Sequence, residues 1–257
     1  MGKNNILLHL LCVFVCVAVN TSCAQQHYKS KELAMVTDNR SCQIIEHIGY
    51  TVCYNTQWHI PNWVAYELTS QETMGQVPRK GNDFFQPDPQ ASDVTSYSDY
   101  SASGYDRGHM APAGDMKWSK QSMMESFYLS NICPQNHSLN DGIWKQLEEK
   151  SRSWAQQYGS IYIVCGPLVS ENYTTIGENK IVVPDSFFKV ILKKNGKGYD
   201  AIGFVFKNEA GQSNLASHAV TVDSVEDLSN INFFYSLPDK TENEVEAQYS
   251  LQSWGFR

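Results

Sequence analysis

The strand-forming runs of this chain come without the regular intervening helices that a parallel sheet requires. Residues 161–165 are short and β-branched and end at Gly166-Pro167. Residues 187–192 and 201–206 flank Asn195-Gly196, a hairpin signal with a slightly long loop. Residues 44–54 and 63–68 predict two more strands, joined by a turn containing Pro61-Asn62, and residues 127–133 predict a buried one. Helical periodicity interrupts this pattern at three places. Ser119 predicts the cap of a short helix reaching about residue 126. Asn140 predicts the cap of a helix that ends at Gly159, with Ile143, Trp144, Leu147 and Trp154 on its apolar face. Asp223 predicts the cap of a last helix to about residue 232. Strict βαβ alternation is missing, so the pattern predicts an α+β fold whose central sheet is largely antiparallel and flanked by helices.

The N-terminus reads as a targeting segment. Lys3 is followed by residues 6–19, apolar apart from His9, and Ser22-Cys23-Ala24 offers small residues for cleavage. The run is too short to span a bilayer comfortably, and no later segment is apolar for long enough. The expectation is a secretory signal over residues 1–24, a single domain over 25–257, and a secreted or periplasmic location. A lipid anchor at Cys23 is the alternative, although Asn20, Thr21 and Ser22 make a poor lipobox. Without Lys3 the 20 basic residues become 19 against 27 acidic ones, a net charge near −8. That excludes a general basic surface for nucleic acid and leaves room only for a local basic cleft. Of the cysteines beyond the leader, Cys42 and Cys53 are expected to pair across a short loop. Cys133 and Cys165 lie in apolar strand-like stretches and are expected to stay reduced. The remaining histidines, His27, His47, His59, His137 and His218, show no metal-ligand spacing.

Chemistry concentrates in Asp106-Arg107-Gly108-His109-Met110-Ala111-Pro112 and in three shorter blocks downstream: Ser130-Asn131-Ile132-Cys133-Pro134-Gln135, then Leu139-Asn140, then Glu148. Imidazole takes a proton near neutral pH, so His109 suits the activation of a water molecule. Gly108 permits close backbone approach, and Pro112 limits how the strand continues. Arg107 offers a planar fork to phosphate oxygens, and Arg79, in Pro78-Arg79-Lys80-Gly81, is a second clamp. The amide oxygen of Asn140 suits a hard cation such as Mg²⁺, which prefers oxygen and keeps most of its waters. Glu148 lies eight residues on, roughly two turns and about 80° around a helix. Each residue alone has an ordinary reading: a satisfied strand-end histidine, a capping asparagine, a solvated glutamate, a loop charge.

Four blocks in this order and spacing resemble the DNA/RNA non-specific endonuclease family of ββα-metal nucleases, over about residues 62–234. The resemblance implies that His109 is the general base and Asn140 the metal ligand. Glu148 becomes a water-orienting glutamate, Asn131 an active-site asparagine, and Arg107 with Arg79 the phosphate-stabilising pair. It implies a Mg²⁺-dependent hydrolase, with Mn²⁺ as a substitute ion, that cuts DNA and RNA with little sequence preference and leaves 5′-phosphate ends. A phosphodiesterase acting on small nucleotides shares the same residues, and a catalytically silent nucleic-acid-binding module is the remaining alternative.

Overall fold

The computed structural model describes residues 30–79, 85–93 and 95–256. The leader reading, with Cys12, Cys16, Cys23 and His27, lies outside them. The strands in chain order are β1 (Met35–Val36), β2 (Gln43–Glu46), β3 (Thr51–Asn55), β4 (Ile60–Thr69), β5 (Asp106–His109) and β6 (Ile132–Gln135). They continue with β7 (Ser160–Leu168), β8 (Thr174–Ile176), β9 (Ile181–Val183), β10 (Ser186–Asn195), β11 (Gly198–Lys207), β12 (Ala219–Val220) and β13 (Ile231–Asn232). The four main helices are α1 (Lys120–Glu125), α2 (Lys145–Tyr158), α3 (Val222–Ser229) and α4 (Asp239–Glu246).

Seven strands form one antiparallel sheet in the order β12-β11-β10-β7-β4-β3-β2. The α+β architecture with a central antiparallel sheet is therefore the one the strand pattern predicts. Both faces of the sheet are covered, which is why its inner strands read as continuous apolar runs rather than as alternating ones. On β10, Phe187 and Ile191 pack with Trp144, Leu147 and Trp154 on one face. Phe188, Val190 and Leu192 pack with Val222, Val225 and Val245 on the other. Full burial of each such side chain contributes roughly 1.5–3 kcal/mol. The β10–β11 hairpin turns at Gly196, whose φ of +58° suits glycine.

Five local expectations need correction. Residues 44–54 are not one strand: His47 N–H donates to the Tyr50 carbonyl at 2.9 Å, and the chain turns there so that β3 pairs back antiparallel on β2. The β3–β4 turn occupies residues 56–59, not Pro61-Asn62. Asn55 Oδ1 accepts from the backbone N–H groups of Gln57 and Trp58, so the side chain closes the turn early. Pro61 then lies inside β4, opposite Tyr54 at a register shift, where its missing donor is tolerated. Residues 127–133 are not one strand. Leu129–Asn131 is a 3₁₀ turn, with Ser130 Oγ bonded to Asp88, and only Ile132 onward pairs in β6. Asn136 rather than Asn140 caps the long helical segment, and Thr221 rather than Asp223 caps α3. Ser119 does cap α1, accepting from Gln121 and Ser122. Cys42 and Cys53 are bridged with Cα atoms 5.1 Å apart, while Cys133 and Cys165 are buried and free. No helix among the described residues is long and apolar enough to cross a membrane.

Candidate active site

β5 and β6 pair outside the main sheet, with His109 opposite Ile132 and Gly108 opposite Cys133. The pairing needs glycine at 108: a Cβ there would lie 2.2 Å from Gln135 Oε1 and 2.6 Å from its Cβ. After β6, Asn136 Oδ1 accepts from Ser138 N–H at 3.0 Å and starts a helical turn, His137–Leu139. A wider turn, Asn140–Trp144, comes next and is interrupted at Gly142 before α2 begins. α2 ends at Gly159 with φ +88°. Trp144 is buried and its Nε1 donates to the His109 carbonyl at 3.4 Å, which ties this helical segment to the end of β5. Met110 N–H donates to the Asn131 carbonyl at 3.0 Å and extends the link to β6.

This two-strand-and-helix unit brings Arg107, His109, Asn140 and Glu148 to the wall of one cavity of about 160 Å³, with Lys145 and Asp141 beside them, and Arg79 joins them from the loop before β5. A larger hollow of about 430 Å³, walled by residues such as Leu33, Val36 and Trp63, is mainly apolar and contains none of these groups. The smaller one is the candidate site, because its polar side chains converge.

His109 is 8% exposed, with its ring edge-on to Phe127 at 4.9 Å and 5.3 Å from Phe85. Its Nε2 is buried without a hydrogen-bond partner. Burial, and then the Arg79 guanidinium, hold its pKa down to about 3, so the ring is neutral at physiological pH. Arg107 stacks 3.8 Å above the Tyr97 ring and donates to the Tyr97 carbonyl at 3.3 Å, and its Nε has no partner. Arg79 lies 5.5 Å from the Phe127 ring. Lys145 pairs with Asp141 at 2.8 Å.

Because Asn136 takes the capping task, the Asn140 side chain is released for another. Its Nδ2 donates to Asp106 Oδ2 at 2.9 Å, and the same carboxylate oxygen lies 2.9 Å from His137 Nδ1. That bond fixes which end of the amide points away from Asp106. No donor among the described residues reaches Asn140 Oδ1, so a hard acceptor oxygen stands ready on the cleft wall.

Glu148 is raised to about 7, first by burial. Lys189 opposes that rise and Asp115 adds to it. Behind it, Asp115 is fully buried and accepts from Arg152 at 2.7 Å and from Tyr66 Oη at 2.9 Å. Lys189, also fully buried, has no hydrogen-bond partner at Nζ and lies 4.5 Å from the Trp144 ring. Sequence reasoning missed Lys189, Asp115, Arg152, Lys145 and Phe85. Only Lys189 left a signal, a lysine interrupting the buried run Phe187-Phe188-Lys189-Val190-Ile191. Asn131 falls elsewhere. It is fully buried behind the cleft wall, where Oδ1 accepts from Ala111 N–H at 2.8 Å and Nδ2 donates to the carbonyls of Ala111 and Ser126. Its side-chain amide ties the segment just after His109 to the end of α1.

The model of the DNA/RNA non-specific endonuclease family matches residues 30–240. Nuclease EXOG of Danio rerio is 35% identical over 226 residues, covering 81% of this chain and 66% of its own length. The chain belongs to the DNA/RNA non-specific endonuclease family. Another member, bovine mitochondrial Endonuclease G, is 33% identical over 205 residues, 74% of this chain and 69% of that protein. A crystal structure of the EndoG/EndoGI complex superposes with a TM-score of 0.72 at 29% identity, covering 77% of this chain and 88% of that one. The chain spans 55–66% of the length of the four EXOG relatives it matches. These names overturn one expectation. The EXOG and Endonuclease G relatives and the yeast nuclease are all mitochondrial, which points away from a secreted or periplasmic location and from a lipid anchor at Cys23.

Proposed function

We propose that this member of the family is a metal-dependent endonuclease that hydrolyses phosphodiester bonds of DNA and RNA with little sequence preference. The observation that carries the reading is the convergence of two arginines, a neutral buried histidine, a donor-free amide oxygen and a glutamate in one polar cleft. Each of these groups suits a phosphate, a water or a cation. Phosphates carry no sequence information, so such a cleft tolerates any sequence.

Arg107 and Arg79 bind the scissile phosphate and neutralise charge that builds on its oxygens. His109 takes the proton of the attacking water. Burial disfavours the imidazolium, but a bound phosphate brings negative charge beside the ring and favours it. Asn131 holds the His109 strand in place without touching substrate. The residues fit a hard divalent cation of the Mg²⁺ type, with Mn²⁺ as substitute: Asn140 Oδ1 is the donor, Asp106 orients it, and Glu148 adds negative charge when ionised. Such an ion supplies Lewis-acid stabilisation of the phosphate and of the leaving oxygen. By likeness to its relatives, the compartment is mitochondrial.

The test is digestion of supercoiled plasmid and of RNA by the purified chain, with and without EDTA. Metal-dependent nicking of plasmid and cleavage of RNA, with 5′-phosphate ends, is expected. Turnover of small phosphodiesters alone would overturn the polymer substrate, and no turnover of either would overturn the enzyme.

A further inference from the structure

The sheet face opposite the cleft carries a cluster of acidic side chains. α3 presents Asp223 and Glu226, one turn apart, and α4 presents Glu242 and Glu246, also one turn apart. Tertiary packing brings the two helices together, and one carboxylate oxygen from each of Asp223, Glu226 and Glu246 lies within 4.8 Å of the other two. Among the described residues, no lysine, arginine or histidine forms an ion pair with any of these three.

Clustered surface acids are common and mean little alone. The informative group here is Glu246. It is 4% exposed, and its Oε1 is buried with no hydrogen-bond donor. A carboxylate taken out of water is normally paired, hydrogen-bonded or bound to a metal. Asn232 repeats the pattern: its amide interacts with Glu242, while its own Oδ1 is buried without a partner. Glu226 receives one donor, the Phe233 N–H at 2.8 Å. Glu246 Oε1 and Asn232 Oδ1 are thus two buried acceptors without a donor. Burial, then Glu226 and the other acids, push Glu246 up to about 9.

We propose that Asp223, Glu226 and Glu246 bind a hard divalent cation of the calcium class, which ties α3 to α4. The donors are all oxygen, with no imidazole or thiolate, which disfavours zinc. Calcium accepts six to eight oxygens in flexible geometry, and Asp223, exposed at the rim, leaves an entry path and room for water ligands. Glu246 is the inner wall of the site and meets in the ion the partner it lacks in the protein. The site is separate from the nuclease cleft and does not rest on the nuclease reading.

The experiment is thermal unfolding of the full chain carrying Asn140→Ala, which takes the cleft out of the competition. The metal-stripped protein is titrated with CaCl₂ alone, and calorimetry counts the ions bound. One ion per chain and a rise in Tm of about 5 °C at a hundredfold excess over Kd are expected. Glu246→Gln should melt higher than its parent without calcium and gain nothing from it. Asp223→Asn, a change at an exposed position that leaves packing alone, should move the calcium midpoint to higher concentration by about tenfold. If Glu246→Gln fails to fold, the Asp223→Asn midpoint decides. A parent insensitive to calcium would overturn the site and leave Glu246 as a protonated acid. So would a calcium response that persists unchanged in Asp223→Asn.

Discussion

Carboxylates are buried on both faces of the central sheet, but their surroundings differ. On the cleft face, Asp115 is held by Arg152 and Tyr66, and Glu148 feels Lys189, Arg152 and Arg79. On the opposite face, Asp223, Glu226 and Glu246 converge without a single cationic partner among the described residues. The cleft carboxylate stands at about 7 and Glu246 at about 9. Burial raises both, and the difference arises from whether a cation accompanies it. A chain of net charge −7 therefore gathers several of its cations around the acids of the cleft and leaves acid uncompensated elsewhere. Net charge alone conceals both arrangements.

On the proposed function catalysis belongs to the compensated face, and the strongest way to break that is His109→Ala. Turnover should fall by at least about 10²-fold, the usual scale for loss of a general base, with circular dichroism unchanged. Near-normal plasmid nicking by a folded variant would move the chemistry out of the cleft. Next in size is metal affinity. Asp106→Ala frees the Asn140 amide to rotate and should raise the Mg²⁺ concentration for half-maximal rate by about tenfold, the scale of lost orienting partners. Asn140→Ala should raise it further, and equal midpoints in parent and variants would place the ion elsewhere.

A subtler test concerns the buried cation that separates the two faces. Glu148 ionises only as pH rises through about 7, and Lys189 favours the ionised form. With Lys189→Met the carboxyl should hold its proton to higher pH. The rise of the rate with pH should then shift alkaline, with the two profiles converging at high pH. A profile that keeps its midpoint would show that Lys189 only fills space. The smallest effect should come from reducing Cys42–Cys53. Its ends are 11 residues apart, so stability should drop by at most about 3 kcal/mol on the chain-entropy model, with nicking retained. Loss of activity in a protein still folded would show that the bridge reaches the cleft.

The order of blocks around His109 was enough to locate most of the cleft, because a motif preserves the local spacing that its backbone geometry demands. Gly108 is an instance: its need for close approach is local, and the contact with Gln135 realises it. Asn140 was legible as a site residue but not as one freed from capping, since Asn136 does that work four residues earlier. Asn131 was legible as special, but its place behind the wall depends on the carbonyls of Ala111 and Ser126, which no local pattern reveals.

By itself, the sequence determined the antiparallel α+β class, the β10–β11 hairpin, the apolar face of α2, the Cys42–Cys53 pairing and the order of the motif residues. These depend on periodicity and on turn chemistry, which act over a few residues. Only the tertiary structure decided that Lys189 stands behind Glu148, that Phe85 and Phe127 enclose His109, and that Asp223 and Glu226 meet Glu246 across two helices. Each of these brings together residues distant in the chain. The field at a buried charge is set by its neighbours in space, and spacing along a chain does not encode those neighbours.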